Sequence, residues 1–262
     1  MDGFDEEEAA IAEFWAARQR GEHFPRAWFD RLALDQAYRI QRGLIARRQA
    51  TGDEGARQVG WKVGLTAKAI QQQFGFHEPV LGCLLAEGRL DSGHVFPRDS
   101  LTAPGFETEL CLRLGAPLSG PVDTAAARAA IEAVHPALEI IETRGDLSAQ
   151  IALAIADNAQ QKAFVLGPAL PFTPGMRLAE VEVRVRVNGA EVAQGRGEAV
   201  LGDPVNSLAW LSGKLAERGL SLRPGDSVMS GSLVRQFPLA SGDRVEAVFT
   251  GGIGAVRVAM GG

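Results

Sequence analysis

The sequence predicts an α+β protein in which a helix-rich beginning is packed against a strand-rich remainder. Apolar residues recur at helical spacing up to about Ala50, whereas short alternating segments prevail from about Val95 onward. No Gly/Ser-rich linker separates the two parts, which indicates that they pack on each other. A chain of 262 residues can form one large domain or a small and a large one. We predict an N-terminal helix-rich α+β part over residues 1–95 and a β-rich part over residues 96–262.

Composition and charge restrict the class of protein. Hydrophobic residues make up 46% of the chain and charged residues 23%, as in ordinary soluble enzymes. The formal net charge of -5 gives no reason to expect nucleic acid or a membrane surface as a partner. No apolar run approaches the roughly 20 residues that span a bilayer, and the acidic segment Met1–Glu8 does not resemble a signal peptide. The cysteines, Cys83 and Cys111, are far apart in apolar settings, which favours reduced thiols in a cytoplasmic protein.

Two helices are predicted at the start of the chain. The first runs from about Glu6 to Arg20 and the second from about Leu34 to Ala50. Both carry apolar stripes at helical spacing, formed by Ala10, Ile11, Phe14 and Ala17 and by Ala37, Ile40, Leu44 and Ile45. The aromatic side chains of this segment are typical of packing rather than chemistry.

A strand with a lysine between two glycines comes next. Gln58–Leu65 alternates like a strand, and Thr66–Gly75 is typical of a short helix that begins at a threonine cap. Gly60 and Gly64 flank Lys62 and would let another backbone or a ligand come close. Taken alone, this pattern does not distinguish Lys62 from an ordinary surface lysine.

Two carboxylates lie two positions apart in Phe106–Leu110. On a strand, Glu107 and Glu109 share one face while apolar residues occupy the other. The pair can hold a cation, for which we consider a divalent metal, or can form the solvated face of an amphipathic strand. Short alternating patterns are common, so this stretch alone favours the solvated face.

A third carboxylate, Glu139, lies in an apolar strand that we predict to begin after Pro136, following a helix over Asp123–Val134. Its neighbours on the same face are apolar, so it should point into the interior, where a carboxylate must be paired or metal-bound. A metal ion and a buried salt bridge, for example with Arg144, both satisfy this requirement.

The rest of the chain is predicted to alternate between helices and strands. Asn188–Gly189 is a strong hairpin signal, and Asp203–Pro204 is a typical helix start. The predicted elements are a helix over Ser148–Ala159, a strand from Phe164, a hairpin over Glu182–Gln194, a helix from Asp203 to Gly219 and strands over Ser227–Gly231, Arg244–Phe249 and Ala255–Met260.

The available ligand types favour a hard cation. Carboxylate oxygens suit Mg²⁺ or Mn²⁺, and the four histidines are scattered, which makes zinc a poorer fit. The glycine-rich patterns of nucleotide sites and the nucleophile elbow of hydrolases are absent from the sequence.

An ordered set of motifs resembles a known family. These motifs are Gly60–Thr66, Glu107-x-Glu109, Pro136–Glu139, Ala156–Ala159, Val200–Pro204 and Ser230–Leu233. Together they resemble the hydratase/decarboxylase branch of the fumarylacetoacetate hydrolase superfamily, whose best-known members are 2-oxopent-4-enoate hydratase and 4-oxalocrotonate decarboxylase of aromatic meta-cleavage catabolism. The match extends over nearly the whole chain from about Gln41, and the ordered set is more specific than any single motif.

The resemblance implies a mixed β-roll with helices around it and a smaller N-terminal helical/α+β part. It also implies that Glu107, Glu109 and Glu139 hold Mg²⁺ or Mn²⁺, that Lys62 is the active-site lysine, and that the substrate is a small 2-oxo acid. Family members are homo-oligomers, so the resemblance implies a homo-oligomer, with an enzyme of the same pathway as a further candidate partner.

The chain departs from the hydratase pattern in two places. The hydratases carry an acid where this chain has Val80, which points toward decarboxylation unless Glu78 or His77 replaces that acid. Gln160 stands where a serine-rich continuation is expected. The segments that contain Gly64, Leu65 and Ser232 look closer to the hydratases. We therefore predict a 2-hydroxy-2,4-dienoate hydratase, and we assign substrate contacts to Gly64, Leu65, Val80, Gln160 and Ser232.

Three alternatives remain open at this point. The first is a 4-oxalocrotonate-type decarboxylase. The second is a carbon–carbon hydrolase like fumarylacetoacetase, which would need a His/Glu pair on an N-terminal lid, where His23 is the only early histidine. The third is a catalytically silent homologue that serves as a subunit or binds small acids.

Overall fold

The computed structural model describes residues 3–73 and 75–262. Its helices are α1 (Gly3–Gln19), α2 (Leu34–Gln49), α3 (Lys68–Gln73), α4 (Thr124–Ala129), α5 (Ile151–Ala156) and α6 (Pro204–Ala216). Its strands are β1 (Gln58–Gly64), β2 (Val80–Leu85), β3 (Arg89–Asp91), β4 (His94–Phe96), β5 (Pro104–Leu114), β6 (Ile131–Glu142), β7 (Gln161–Leu166), β8 (Leu170–Pro171), β9 (Glu182–Val187), β10 (Ala190–Arg196), β11 (Ser227–Ser232), β12 (Phe237–Pro238), β13 (Arg244–Phe249) and β14 (Gly254–Met260).

Two mixed sheets form the body of the protein. The first has the strand order β2-β1-β11-β5-β6-β7-β3, with β12 beside β5 and β8 beside β6. The second has the order β10-β9-β13-β14-β4. Parallel pairs join β1 to β11, β3 to β7 and β4 to β14, and the other pairs are antiparallel. The predicted α+β class, with mixed sheets and helices around them, is confirmed.

Helix α2 connects the N-terminal segment to the first sheet, and α1 packs on α2. Gln41 of α2 is 1% exposed, and its amide donates to the carbonyl oxygens of Leu81 at 3.2 Å and Ile155 at 2.8 Å. One side chain thus ties α2 to both β2 and α5. Strands β1 and β2 precede residue 95, yet they belong to the sheet that contains β5 and β6. The division at residue 95 stays a prediction.

The helices predicted near the start agree with α1 and α2 to within a few residues. Helix α3 lies inside the predicted Thr66–Gly75 segment, but Phe74 falls outside the described residues, as do Met1 and Asp2 of the acidic N-terminal segment. No helix within residues 3–73 and 75–262 is long and apolar enough to cross a membrane.

The predicted helix over Asp123–Val134 is wrong in its second half. Helix α4 ends at Ala129, and β6 already begins at Ile131, where pairing with β5 overrides the helical preference of the alanines. Strand β6 also continues through Pro136. This proline is tolerated because β8 pairs with residues up to Val134 and β7 pairs from Ala137 onward, so Pro136 falls between the two partners.

Two further differences concern the surroundings of Lys62. The predicted helix over Ser148–Ala159 is shortened to α5, because residues 158–160 leave the helical conformation. Strand β2 was not predicted, because it is buried on both faces and therefore lacks the alternation of a half-exposed strand. Both differences arise where tertiary packing dominates over local pattern.

Gly60 is expected to accept no side chain. A Cβ atom on Gly60 would lie 1.9 Å from the carbonyl oxygen of Ser227, its partner across the β1–β11 pair. Gly60→Ala should therefore lower the free energy of unfolding by about 3 kcal/mol or more. Urea unfolding measures this loss, and Gly175→Ala is a matched control because a Cβ there meets no atom within 4 Å. Equal midpoints for the two variants would contradict the prediction.

Candidate metal centre

Three glutamates converge where β5 pairs with β6. Glu107 lies directly opposite Glu139 in the antiparallel register, and Glu109 lies opposite Ala137. Each glutamate offers one carboxylate oxygen, and these three atoms lie within 4.8 Å of one another. Glu109 and Glu139 are 0% exposed, and Glu107 is partly exposed. The interpretation of a solvated polar face is therefore wrong, because the acidic face of β5 lies in the interior.

Most oxygens of the two buried carboxylates have no protein donor. Glu109 accepts a hydrogen bond through Oε2 from the backbone N–H of Gly231 at 2.9 Å. The remaining oxygen of Glu109 and both oxygens of Glu139 find no hydrogen-bond partner among the residues that the structure describes. Burying such groups is costly unless something positive binds them. Three converging hard oxygen donors fit a divalent cation such as Mg²⁺ or Mn²⁺.

Lys62 lies beside this cluster. Its side chain is 5% exposed, and Nζ lies 3.1 Å from Oε1 of Glu139, although the angles do not make a hydrogen bond. The ammonium donates instead to the carbonyl oxygen of Ala159 at 2.9 Å. Lys62 is therefore not an ordinary surface lysine. Arg144, the other partner considered for Glu139, pairs with Glu142 at 3.1 Å and with Asp157.

Burial raises the pKa of the three carboxyl groups. It raises the pKa of Glu107 to about 7, where the charge of Glu139 adds to the rise and that of Lys62 opposes it. Burial also raises the pKa of Glu109 well above its ordinary value, and it raises the pKa of Glu139 despite the nearby ammonium. Burial alone would lower the pKa of Lys62, but the carboxylates outweigh it and leave that pKa raised. Without a cation, the cluster retains protons near neutral pH.

The metal-free protein is expected to lose stability as the pH rises from about 4.5 to about 7. In this window the native carboxyl groups hold protons that the unfolded chain has released, so raising the pH favours unfolding. Saturating Mg²⁺ should remove this slope, because the cation replaces the protons. Urea unfolding in EDTA and in Mg²⁺ at several pH values tests both statements. Glu107→Gln should show a shallower slope in EDTA, and a slope equal to wild type would contradict the assignment.

A cavity of about 450 Å³ adjoins the cluster. Six of the residues predicted to form the site line it, and these are Lys62, Gly64, Leu65, Val80, Glu107 and Gln160. Glu109 and Glu139 are not among the lining residues, since Glu107 is the one carboxylate of the three that reaches the cavity. The arrangement therefore presents a cationic side chain and a cation-binding cluster at one wall of a ligand-sized space.

Ser232 lies outside this lining. Its hydroxyl accepts from the backbone N–H of Thr108 at 3.2 Å and is 3.3 Å from the carbonyl oxygen of the same residue. It thus links β11 to β5 beside Glu109, and its assignment as a substrate contact stays a prediction.

The sequence reasoning missed the loop that follows β6. Thr143, Gly145, Asp146, Leu147 and Ser148 line the cavity. Part of this loop had been assigned to a helix beginning at Ser148. The Gly145–Asp146 pair, shortly after the end of a strand that carries a candidate ligand, was the available signal, since functional residues are frequent in such loops.

The residues considered as replacements for the missing acid lie elsewhere. Glu78 is exposed and pairs with Lys214 at 2.8 Å, and His77 is exposed. Neither of them lines the cavity, nor does His23, the histidine considered for a lid. Among the described lining residues, Val80 therefore has no acidic substitute beside it, and the acids present are Glu107 and Asp146.

Comparisons with known proteins agree with the geometry. The family model described as "Fumarylacetoacetate (FAA) hydrolase C-terminal" matches residues 88–260. The chain is 37% identical over 239 residues to the TodF product hydratase of Pseudomonas putida, covering 87% of this chain and 84% of that protein. It is 33% identical over 255 residues to 2-keto-4-pentenoate hydratase of Paraburkholderia xenovorans, covering 95% and 93%. It is 32% identical over 222 residues to 4-oxalocrotonate decarboxylase of a Pseudomonas strain, covering 84% and 83%.

Solved structures give the same result. The chain superimposes on 4-oxalocrotonate decarboxylase from Pseudomonas putida G7, complexed with magnesium and adipate, with a TM-score of 0.91 and 29% identity over 99% of each chain. The calcium and acetate complex of that enzyme gives a TM-score of 0.90. The similarity thus extends over both sheets and the N-terminal helices, and the relatives are lyases. On the matched domain and these relatives together, the chain belongs to the fumarylacetoacetate hydrolase family.

Proposed function

We propose that the protein is a metal-dependent lyase that hydrates 2-hydroxypenta-2,4-dienoate and similar 2-hydroxydienoic acids. The first of these is the enol form of 2-oxopent-4-enoate. The carrying observation is the cluster of Glu107, Glu109 and Glu139 beside Lys62 at the wall of an otherwise largely uncharged cavity. When bound there, Mg²⁺ or Mn²⁺ would supply a Lewis acid for the carboxylate and 2-oxo oxygens of the substrate. Such a hydratase ketonises the dienol and then adds water at C4.

Lys62 has a defined task in this scheme. In the metal-free protein the neighbouring carboxylates raise the pKa of Lys62, and its side chain lines the cavity beside them. The ammonium can therefore donate a hydrogen bond to the 2-oxo oxygen as negative charge develops on it, and can pass a proton during ketonisation. Leu65, Val80 and Leu147 supply apolar contacts for the carbon tail.

The charge of the cavity favours a monocarboxylic acid. Lys62 is the only cation among the described lining residues, and it is already engaged beside Glu139. The exposed Asp146 adds a negative charge to the lining. Hydrogen bonds from Ser148 and Ala149 lower the pKa of its carboxyl group and keep it ionised. A second carboxylate on the substrate would meet this negative charge or the apolar wall. A tail without charge therefore fits better, which favours hydration over decarboxylation of a dicarboxylic acid.

Decarboxylation of a 4-oxalocrotonate-type acid is the second candidate. This chain has Val80 where the hydratases carry an acid that would help to position water, and loss of CO₂ needs no such water. The close superposition on a 4-oxalocrotonate decarboxylase agrees with this alternative.

One assay separates the candidates. The purified protein is mixed separately with 2-hydroxypenta-2,4-dienoate, with the dicarboxylic keto acid 2-oxohex-3-enedioate (4-oxalocrotonate) or with an acylpyruvate, in Mg²⁺ or in EDTA. We expect Mg²⁺-dependent loss of dienol absorbance with the monocarboxylic acid and a 4-hydroxy-2-oxo acid as the product seen by NMR. Release of CO₂ from the dicarboxylic acid instead would support the decarboxylase. Cleavage of an acylpyruvate would support the hydrolase, and no turnover of any of them would support the silent homologue.

Family membership also supports proposals about assembly and location. We propose a homo-oligomer that acts in the cytoplasm, with an enzyme of the same catabolic pathway as a further candidate partner. Light scattering coupled to size-exclusion chromatography measures the oligomer directly, and a monomer at micromolar concentration would contradict it.

A further inference from the structure

Residues 158–160 form a turn with an unusual backbone. Asn158, Ala159 and Gln160 have φ angles of 57°, 48° and 60°. Asparagine tolerates this left-handed region, but alanine and glutamine adopt it rarely, and three such residues in a row are disfavoured. A conformation of this kind persists only when its surroundings hold it, and it is concentrated at functional sites.

The side chain of Asn158 holds the turn. Its Oδ1 accepts from the backbone N–H of Cys83 at 2.7 Å, and its Nδ2 donates to the carbonyl oxygen of Cys83 at 2.9 Å. The amide thus pairs with β2, the edge strand of the first sheet, as another strand would. Asn158 is 8% exposed, so water competes little for these bonds.

The turn over residues 158–160 also fixes the position of Lys62. The carbonyl oxygen of Ala159, at the middle of the turn, accepts from Nζ of Lys62 at 2.9 Å. Gly82 lies between the two groups, where a Cβ atom would be 3.1 Å from the carbonyl oxygen of Asn158 and 3.2 Å from Cγ of Lys62. A methyl group at Gly82 would therefore press on both the turn and the lysine stem, which would have to shift by a few tenths of an ångström.

The carbonyl of Ala159 also restrains the lysine against the carboxylates. Three nearby carboxylates attract the ammonium, which sits on a stem with four rotatable bonds. The carbonyl oxygen of Ala159, a neutral acceptor 2.9 Å from Nζ, competes with the carboxylates for the ammonium, which lies 3.1 Å from Glu139. Without it, the ammonium would move toward the oxygens that a cation needs.

We propose that Asn158 is a positioning residue for Lys62, acting through the left-handed turn and the carbonyl of Ala159. The turnover part of this statement rests on the proposed function, whereas the effect on the cation site does not. Asn158 has no contact with the substrate in this scheme.

A double-mutant cycle tests the turnover part. We expect Asn158→Ala to lower kcat by about 100-fold, the size of effect that a misplacement of about 1 Å produces, with less than about a threefold change in KM. In the Lys62→Met background the same substitution should leave the residual kcat unchanged, because the group that it positions is gone. A structural role alone would lower kcat by the same factor in both backgrounds, which would overturn the proposal.

Asn188 provides a matched control. It also has a positive φ, of 53°, and its side chain accepts from the backbone N–H of Arg244 at 2.9 Å and donates to Asp243 at 2.8 Å. It lies in the β9–β10 hairpin of the second sheet, away from the cavity. Asn188→Ala should leave kcat unchanged.

Mn²⁺ affinity, measured by titration calorimetry, provides the readout that does not require turnover. We expect Asn158→Ala to weaken Mn²⁺ binding about tenfold in wild type and not at all in Lys62→Met. If the effect of Asn158→Ala on Mn²⁺ affinity depends on Lys62 but no dienoate is turned over, the positioning role of Asn158 is upheld and the proposed function is wrong. Absence of coupling would overturn the positioning, whatever the reaction. If Asn158→Ala does not fold, Gly82→Ala keeps both hydrogen-bonding groups, crowds Lys62, and should show the same coupling.

Discussion

Glu139→Ala is expected to abolish divalent-metal binding and, with it, turnover. Glu139 lies opposite Glu107 and supplies two buried oxygens that accept no hydrogen bond within the described part of the chain. Loss of a ligand should weaken the affinity for Mg²⁺ or Mn²⁺ by more than the roughly 10–100-fold typical of an outer-shell change. Titration calorimetry with Mn²⁺ measures the affinity, and the dienol absorbance assay measures the turnover.

The fold should survive this substitution with reduced stability. Breaking a buried ion pair typically costs about 3–5 kcal/mol, and Lys62 loses its contact with Glu139. Removing one of three crowded and desolvated carboxyl groups offsets part of this cost, so we expect a net loss below that range. Glu132→Ala is the control, because Glu132 lies on the same strand but faces solvent. Unchanged Mn²⁺ affinity in Glu139→Ala would remove this residue from the ligand set.

Lys62→Met is expected to retain the metal and to lose turnover. Methionine keeps most of the apolar stem, so the packing against Gly82 survives, while the ammonium beside Glu139 is removed. If Lys62 stabilises charge or moves a proton, kcat should fall by about 10²–10⁴-fold. The affinity for Mn²⁺ should stay the same or rise, because a competing positive charge has left the cluster.

The control for Lys62 is Lys68→Met, since Lys68 begins α3 and is exposed. Its kcat should match that of wild type. Full activity in Lys62→Met would remove the ammonium from the mechanism, and simultaneous loss of metal and activity would indicate a role in folding the cluster rather than in the reaction.

The three glutamates could be identified from the sequence because the alternation of side chains along a strand fixes which residues share a face. The spacing of Glu107 and Glu109 fixes a shared face on any strand, and the apolar neighbours of Glu139 indicate that it is buried. What spacing cannot supply is the register that places Glu139 opposite Glu107. The resemblance to a family grouped the three glutamates as one ligand set, and the register of the β5–β6 ladder agrees with that grouping.

The elements that were missed share a physical cause. Strand β2 is buried on both faces, so no alternation marks it, and the 143–148 loop has a turn composition that does not reveal what it faces. The 158–160 turn is held by a long-range bond from Asn158 to Cys83, which local propensity cannot anticipate. Sequence patterns thus predicted the strands that carry the carboxylates better than the backbone that surrounds Lys62.

The direct opposition of Glu107 and Glu139 makes cation capture a test of strand alignment during folding. A slip of one residue between β5 and β6 would turn the acidic side chains of one strand to the opposite face of the sheet. A slip of one residue would therefore separate the three carboxylates, whose meeting requires residues separated by a helix and a turn to come together. The rate of Mn²⁺ binding during refolding should therefore report the rate at which β5 and β6 pair on the correct faces.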